Sequence, residues 1–384
     1  MFLEIVKIIM LGYLSVFFML LIIGLIRPIQ ITRLYKVLSF LASVALAFWA
    51  YQLKPGTRLD LYRQFLSIEF VSGNSKSFID AVLHPADAYT GLYGLNAFFY
   101  LITKLGSVHW YPAIATFFTT FLLSVCLLDY LTINGYTSKE YAYGLLLIYT
   151  GMPMVNVFSG VRNALAISII IFALYQMIYK NNTHRVLHYV LIFLAATIHP
   201  ASLLIFPPIL VTNLRPKLQK ILRFAALLTL PTIFAVSRLL ATTPISTLRY
   251  IGMRVLFYEN VQYQYDRPEM IANIAVFLAI YVVVYVFEKN RELIVDCGLG
   301  RKYLNTYIFL GYLMVGCSVH RDFTLRIGYL MGILGVPLVL KINKANVTEK
   351  DRVVKVLMNI GIIVCMAKVY YDTFYSIGRW DFGW

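Results

Sequence analysis

Charge is scarce in this sequence. Asp, Glu, Lys and Arg make up 14% of its 384 residues, against about 25% in an ordinary soluble domain. That shortage excludes a compact domain with a fully wetted surface, which needs charge to face water. Cysteine is almost missing as well. Cys126, Cys297, Cys317 and Cys365 are scattered and form no C-x-x-C, so neither a disulfide framework nor a zinc site is indicated. There is no P-loop, no G-x-G-x-x-G, no H-E-x-x-H and no EF-hand loop. Without them the motifs give no argument for nucleotide-driven transport, a cofactor or a metal. Internal repeats and low-complexity tracts are lacking too. Residues 1–26 are longer than a signal peptide's apolar core and lack a small-residue cleavage pattern, so this first segment reads as retained in the membrane.

Apolar residues fill the space instead. They form 60% of the chain, with a mean hydropathy of +0.73. Several runs reach the ~17–25 residues that a spanning helix needs. The reading is an all-α, polytopic helical membrane protein, with residues 1–384 as one integral membrane domain. Spans are expected at 5–26, 37–54, 111–132, 141–158, 163–179, 186–199, 201–214, 221–241, 271–288, 303–319, 324–341 and 356–371. Several are short, which predicts tilted or broken helices.

The net charge of +16 would suggest nucleic acid on a soluble protein. Here it sets orientation, because cytoplasmic loops collect Lys and Arg; no nucleic-acid partner is expected. Basic loops at 27–36, 180–185, 215–220, 288–302 and 341–355 go inside. For these to share a side, segment 89–108 must begin and end outside, as a re-entrant or surface helix. The expectation is twelve spans with both termini outside, an outer loop at 55–110 carrying that helix, and a second outer loop at 242–270.

This sorting leaves arginine prominent on the outer side: Arg58, Arg63, Arg162, Arg238, Arg249, Arg254, Arg267, Arg321, Arg326 and Arg379. The positive-inside rule does not explain them. Arginine is a permanently charged planar fork suited to phosphate oxygens, so the cluster points to an anionic ligand. The competing reading is that each arginine pairs with Asp60, Glu69, Asp87, Asp266 or Asp322, or reaches up to the headgroups.

Arg162 has the strongest local context. In "FSGVRNALA" (158–166), Ser159 is placed to cap the following helix and Gly160 to allow a tight turn. Free N–H groups and an arginine at a helix start make a phosphate-binding geometry. A capped helix with a snorkelling arginine fits the same letters. His199, before Pro200, falls where two short spans turn, and histidine there suits either a base near neutral pH or a backbone hydrogen bond at the junction. His84, His109 and His320 also fall outside, with weaker context. In "PGTRLDLYRQFLSIEF" (55–70), Asp60 either orients arginines or acts as the acid or base of a membrane glycosyltransferase. Arg326 and Tyr329 are three residues apart on one helical face. "VHRDF" (319–323) has the letters of a kinase catalytic loop without the glycine-rich loop that would accompany it. The tyrosines of 242–270 fit interfacial anchors better than sugar-stacking platforms.

Taken in order, "GTRLDLYRQF", "GLYGLNAFFYLITKLG", "FSGVRNALAISIIIFALY" and "LIFLAATIHPASLLIFPPIL" resemble the EpsG-type branch of the Wzy polysaccharide polymerases, over residues 30 to 215. "LRIGYLMG" is the nearest piece of the C-terminal half, and the first outer segment departs from the usual spacing. The resemblance implies a GT-C-like fold in the bacterial inner membrane. It implies joining of undecaprenyl-diphosphate-linked repeat units at the outer leaflet, with undecaprenyl diphosphate as leaving group. Arg162, His199 and Asp60 become the expected catalytic residues. Arg162, Arg326, Arg63, Arg58 and Arg321 become the expected diphosphate ligands. A chain-length regulator and a flippase of the same pathway are the expected protein partners. Three readings compete: an outer-leaflet glycosyltransferase with a lipid-phosphate donor, a glycan ligase, and a flippase. A transferase would depend on an acid such as Asp60 more than on an Arg–His pair. A flippase would need charge through the span interiors, which are nearly charge-free.

Overall fold

The computed structural model describes residues 17–31, 33–56, 60–84, 89–152, 154–180, 184–244, 281–296, 300–317, 321–344 and 355–364, with a few single residues beside them. Fifteen helices are named here in chain order. They are α1 Arg33–Tyr51, α2 Asp60–Asn74, α3 Phe78–Leu83, α4 Tyr93–Thr103, α5 Trp110–Ile133, α6 Ser138–Gly151, α7 Met154–Ser159 and α8 Val161–Leu174. After them come α9 Arg185–Ile198, α10 Phe206–Val211, α11 Pro216–Ala226, α12 Thr229–Ala241, α13 Arg291–Asp296, α14 Arg301–Gly316 and α15 Arg321–Lys344. Extended pairing among the described residues is limited to one bridge, Gln30 to Thr137.

Among the described residues, four helices are long and apolar enough to cross a membrane: Arg33–Tyr51, Trp110–Ile133, Val161–Tyr179 and Arg326–Lys344. Pro216–Ala226 and Pro231–Ala241 make a fifth if that pair, bent by 78°, is one span. Parts of the expected spans 5–26, 271–288 and 356–371 lie outside the described residues; several of the others are short or interrupted. Residues 141–158 break into α6 and α7 at Met152, and 201–214 divides into a 3₁₀ turn, Pro200–Ile205, and the six-residue α10. The cause of the second break is local. Pro200, Pro207 and Pro208 each lack the N–H that a continuous helix would use. The 19-residue span that contains α8 closes on a π turn, Tyr175–Tyr179.

Packing follows the small residues. Helix α1 packs on α5, and its buried residues are small: Ser39, Ala42, Ser43, Ala45 and Ala50. Such a stripe lets two backbones approach closely where lipid supplies no hydrophobic drive between helices. Helices α6 and α15 cross at two glycines, and a Cβ on Gly151 would lie 3.2 Å from the Gly332 Cα. The start of α6 is fixed by a capping box between Thr137 and Glu140. Within the bundle, Tyr130 donates to the Pro337 carbonyl at 3.2 Å and Tyr303 to the Leu334 carbonyl at 2.8 Å. Such bonds stop phenolic groups from being stranded in an apolar interior. Cys126 and Cys317 are buried and unbridged.

Segment 89–108 contains α4 and is bounded by Gly91 and Gly106, with φ of 82° and 75°. Its 11 residues rise about 16 Å, against the ~30 Å of a bilayer core. Gly94 lets it lie on α9, since a Cβ there would collide with Thr197.

Candidate active site

Four separated stretches of chain meet in one pocket of about 200 Å³, lined by Asp60, Gly160, Arg162, Asn163, His199, Arg326 and Tyr329. Asp60 is the first residue of α2, where the helix dipole favours a carboxylate. Gly160, Arg162 and Asn163 belong to the junction of α7 and α8. His199 ends α9 as its C-cap, and Arg326 with Tyr329 occupies the second turn and beyond in α15.

The arginine is anchored on one side and open on another. Arg162 Nη2 donates to Asp60 Oδ2 at 2.8 Å. The same oxygen accepts from Gln64 Nε2 at 2.5 Å, one turn along α2. The guanidinium carbon lies 4.9 Å from the centre of the Tyr89 ring, within cation–π range. Tyr89 is steadied by Asn96 Nδ2, which donates to its carbonyl at 3.1 Å. Arg162 Nε is buried and has no hydrogen-bond partner among the described residues. A guanidinium carries five N–H donors in a fixed fork. Such an unused, desolvated donor favours a further acceptor oxygen.

Gly160 is the N-cap of α8 and has no side chain with which to cap that end. The expected Ser159 cap is therefore corrected: Ser159 is the last residue of α7 and is itself helical. The glycine is required by crowding, because a Cβ on it would stand 2.8 Å from the Asn156 carbonyl oxygen. Its φ of −82° needs no glycine. The short α7 also delivers Asn156, whose Nδ2 donates to the Tyr329 hydroxyl at 2.7 Å. That bond ties the Arg162 junction to α15.

His199 is buried. Its backbone N–H closes α9 on the Ala195 carbonyl at 2.8 Å, and its carbonyl accepts from the Ser202 N–H at 3.0 Å. The backbone at the turn is thus satisfied without the imidazole, which is on the pocket wall.

The remaining expected residues are dispersed. Arg63 is exposed on α2 and outside the pocket lining. Arg58 lies outside the described residues, as do His320 and most of 242–270. Arg321 opens α15, with a side chain outside those described. His84 is exposed and pairs with Asp80 at 3.1 Å. His109 packs against Tyr51 and Phe65. Three contributors were not singled out from sequence. Tyr89 and Gln64 give no signal among 29 tyrosines and the ordinary polar residues of an amphipathic helix. Tyr111, within electrostatic reach of Arg162, Asp60 and Tyr89, has a buried hydroxyl without a hydrogen-bond partner among the described residues. No group of three or more His, Cys, Asp or Glu able to hold a metal occurs among the described residues.

Several apolar helices long enough to span, together with a pocket lined by two arginines, a carboxylate and a histidine, define a polytopic helical membrane protein. The chain belongs to the EpsG family, whose model matches residues 89–381. That stretch holds Arg162, His199 and Arg326 and extends through the C-terminal half; Asp60 precedes it. Membership points to polysaccharide polymerisation. Neither a curated protein nor a solved structure matches the chain.

Proposed function

We propose that this protein joins undecaprenyl-diphosphate-linked oligosaccharide repeat units at the outer leaflet of the bacterial plasma membrane. In this reading the chain has twelve spans in a GT-C-like arrangement, with the pocket facing outward. The acceptor hydroxyl attacks the anomeric carbon of the donor. A new glycosidic C–O bond forms as the bond to the diphosphate breaks, and its electron pair leaves on the diphosphate. The hydroxyl proton passes to a base. No nucleotide is needed, since the lipid diphosphate is the activated leaving group.

The observation that carries this reading is the convergence of Arg162, Arg326, Asp60 and His199 on one pocket. Arg162 and Arg326 would take the charge that builds on the diphosphate. Losing one preorganised donor of this kind costs about 3–4 kcal/mol in the transition state. Asp60 accepts from both Gln64 and Arg162, so its role is to aim the guanidinium. His199 is then the base. The pocket's roughly 200 Å³ suits the phosphate end of a substrate, while the glycan would extend beyond it. Arg58, Arg63 and Arg321 are left as outer contacts to the second phosphate or its lipid. A chain-length regulator and a flippase would act beside it.

The test is the lipid-linked glycan pattern of a deletion strain. A missing polymerase leaves single repeat units on the final carrier. Polymer held on undecaprenyl diphosphate would instead identify a ligase. Units trapped inside the cell would identify a flippase. Either result overturns the proposal.

A further inference from the structure

A second polar cluster, with Gln219, Arg223 and Asn305 buried, lies away from this site. The 11-residue α11 presents Gln219, Lys220, Arg223 and Phe224 to a cavity of about 440 Å³. Glu288 and Arg291 close it from the neighbouring helices. The volume falls within the ~300–1,000 Å³ of ligand sites. Arg223 Nη1 donates to Glu288 Oε1 at 3.0 Å, and its Nη2 to Asn305 Oδ1 at 3.0 Å. Arg291 Nη2 donates to the same Asn305 oxygen at 3.1 Å and stands 4.0 Å from the same Glu288 oxygen. Asn305 is held with its oxygen toward the guanidiniums because its amide donates to Gln219 Oε1 at 3.1 Å. Gln219 in turn donates to the Leu214 carbonyl at 2.8 Å.

Charge in this pocket does not balance. Among the described residues that line it, three cations, Lys220, Arg223 and Arg291, face one carboxylate, Glu288. Arg223 is 9% exposed, and its Nε is buried with no hydrogen-bond partner among the described residues. Glu288 is shared by Arg223 and Arg291, so the surplus positive charge rests on exposed Lys220 and partly exposed Arg291, where an anion at the membrane surface can reach it. The rim adds a second property. Phe224 lines the cavity, and Leu218, Ile221, Phe224, Leu227 and Leu228 of α11 and its end are exposed apolar side chains. Basic groups beside a bare apolar helix face match a lipid whose head is a phosphate and whose tails need an apolar surface.

We propose that this pocket is a second anion site, which takes the phosphate of an anionic membrane lipid. It is separate from the Arg162 pocket. Tyr303 of α14, two residues before Asn305, donates to the Leu334 carbonyl. Leu334 is eight residues beyond Arg326 on α15, about 12 Å along the helix. Exposed Arg215, Lys217, Arg301 and Lys302 surround this end of the bundle, and anionic leaflets attract such basic surfaces.

The test uses the full chain purified in neutral detergent, with lipid retention read by native mass spectrometry. Phosphatidylglycerol should be retained in preference to phosphatidylcholine. Lys220→Gln and Arg291→Gln should each weaken retention by about fivefold. The double variant Arg223→Gln/Glu288→Gln removes both partners of the Arg223–Glu288 pair and should weaken it too. Lys220 is exposed, so Lys220→Gln reports on binding without risk to folding. Arg162→Lys should leave retention unchanged, which separates this site from the polymerisation reading. Displacement of phosphatidylglycerol by millimolar inorganic phosphate, sensitive to the same variants, would keep the phosphate chemistry and overturn the lipid. Equal retention of both lipids, no effect of Lys220→Gln, or loss only in Arg162→Lys would overturn the site itself.

Discussion

Arg162 stands at the start of a 19-residue apolar span, where a charge must be matched or it is expelled. Asp60 matches it, Tyr89 covers one face, and Nε is left over. An ion pair alone would tolerate any cation at this position. A phosphate clamp would not, because an ammonium cannot reproduce a bidentate fork. Arg162→Lys is therefore expected to lower polymer formation about 100- to 1,000-fold at normal protein levels. Arg33→Lys, at an exposed position on α1, is the control and should have no effect. Full-length polymer from Arg162→Lys would reduce Arg162 to a structural partner of Asp60. His199 allows a sharper separation of roles. Its backbone already completes the turn, so Gln should preserve the fold. If the imidazole takes the acceptor proton, Gln should fail nearly as badly as Ala, with melting temperature little changed. Gln that polymerises normally, alongside an Ala variant that is degraded, would leave His199 only as a junction residue.

At the scale of helices, the site depends on how closely α6 and α15 cross. Gly151 and Gly332 meet backbone to backbone, and Tyr329 is three residues before that contact. Asn156 bonds Tyr329 just beyond the end of α6. Gly332→Leu should force the helices apart and cost about 1–3 kcal/mol. The readouts are a lower melting temperature and activity lost beyond what the remaining folded protein explains. A variant with wild-type melting temperature and activity would show that the crossing does not position the pocket. This scale also divides what sequence reveals from what it hides. The helix carrying Arg162, the end of α9 at His199 and the shared face of Arg326 and Tyr329 were legible, because each is local in sequence. The Asp60–Arg162 pair was legible only as one of several candidate pairings: the two residues are 102 positions apart, and no periodicity links them. The Gly160 cap was hidden for a different reason. Whether Ser159 or Gly160 caps α8 depends on the six-residue α7 before it, which is too short to give a periodic signal.

For the molecule as a whole, the open physical question is which end of the bundle the Arg162 pocket faces. Charge sorting places the basic loops at 215–220 and 288–302 on one side. In the structure Pro216, Lys220, Glu288 and Arg291 from those stretches line the Arg223 pocket, while Asp60, Arg162 and His199 line another. The two placements agree only if residues 89–108 enter and leave the membrane on the same side. A full crossing there would invert every later loop and put Arg162 on the opposite side from Asp60, against their 2.8 Å contact. The short α4 between Gly91 and Gly106 favours return to the same side. Cysteines placed at Thr90 and Val108 are expected to react equally with a membrane-impermeant maleimide added to intact cells. A cysteine at Lys217 should react only after permeabilisation. Native background is limited because Cys126 and Cys317 are buried, and Cys297 and Cys365 can be changed to Ser. Labelling of Thr90 without Val108 would make α4 part of a crossing. The twelve-span arrangement would then fail, and with it the outward placement of the Arg162 pocket on which polymerisation at the outer leaflet depends.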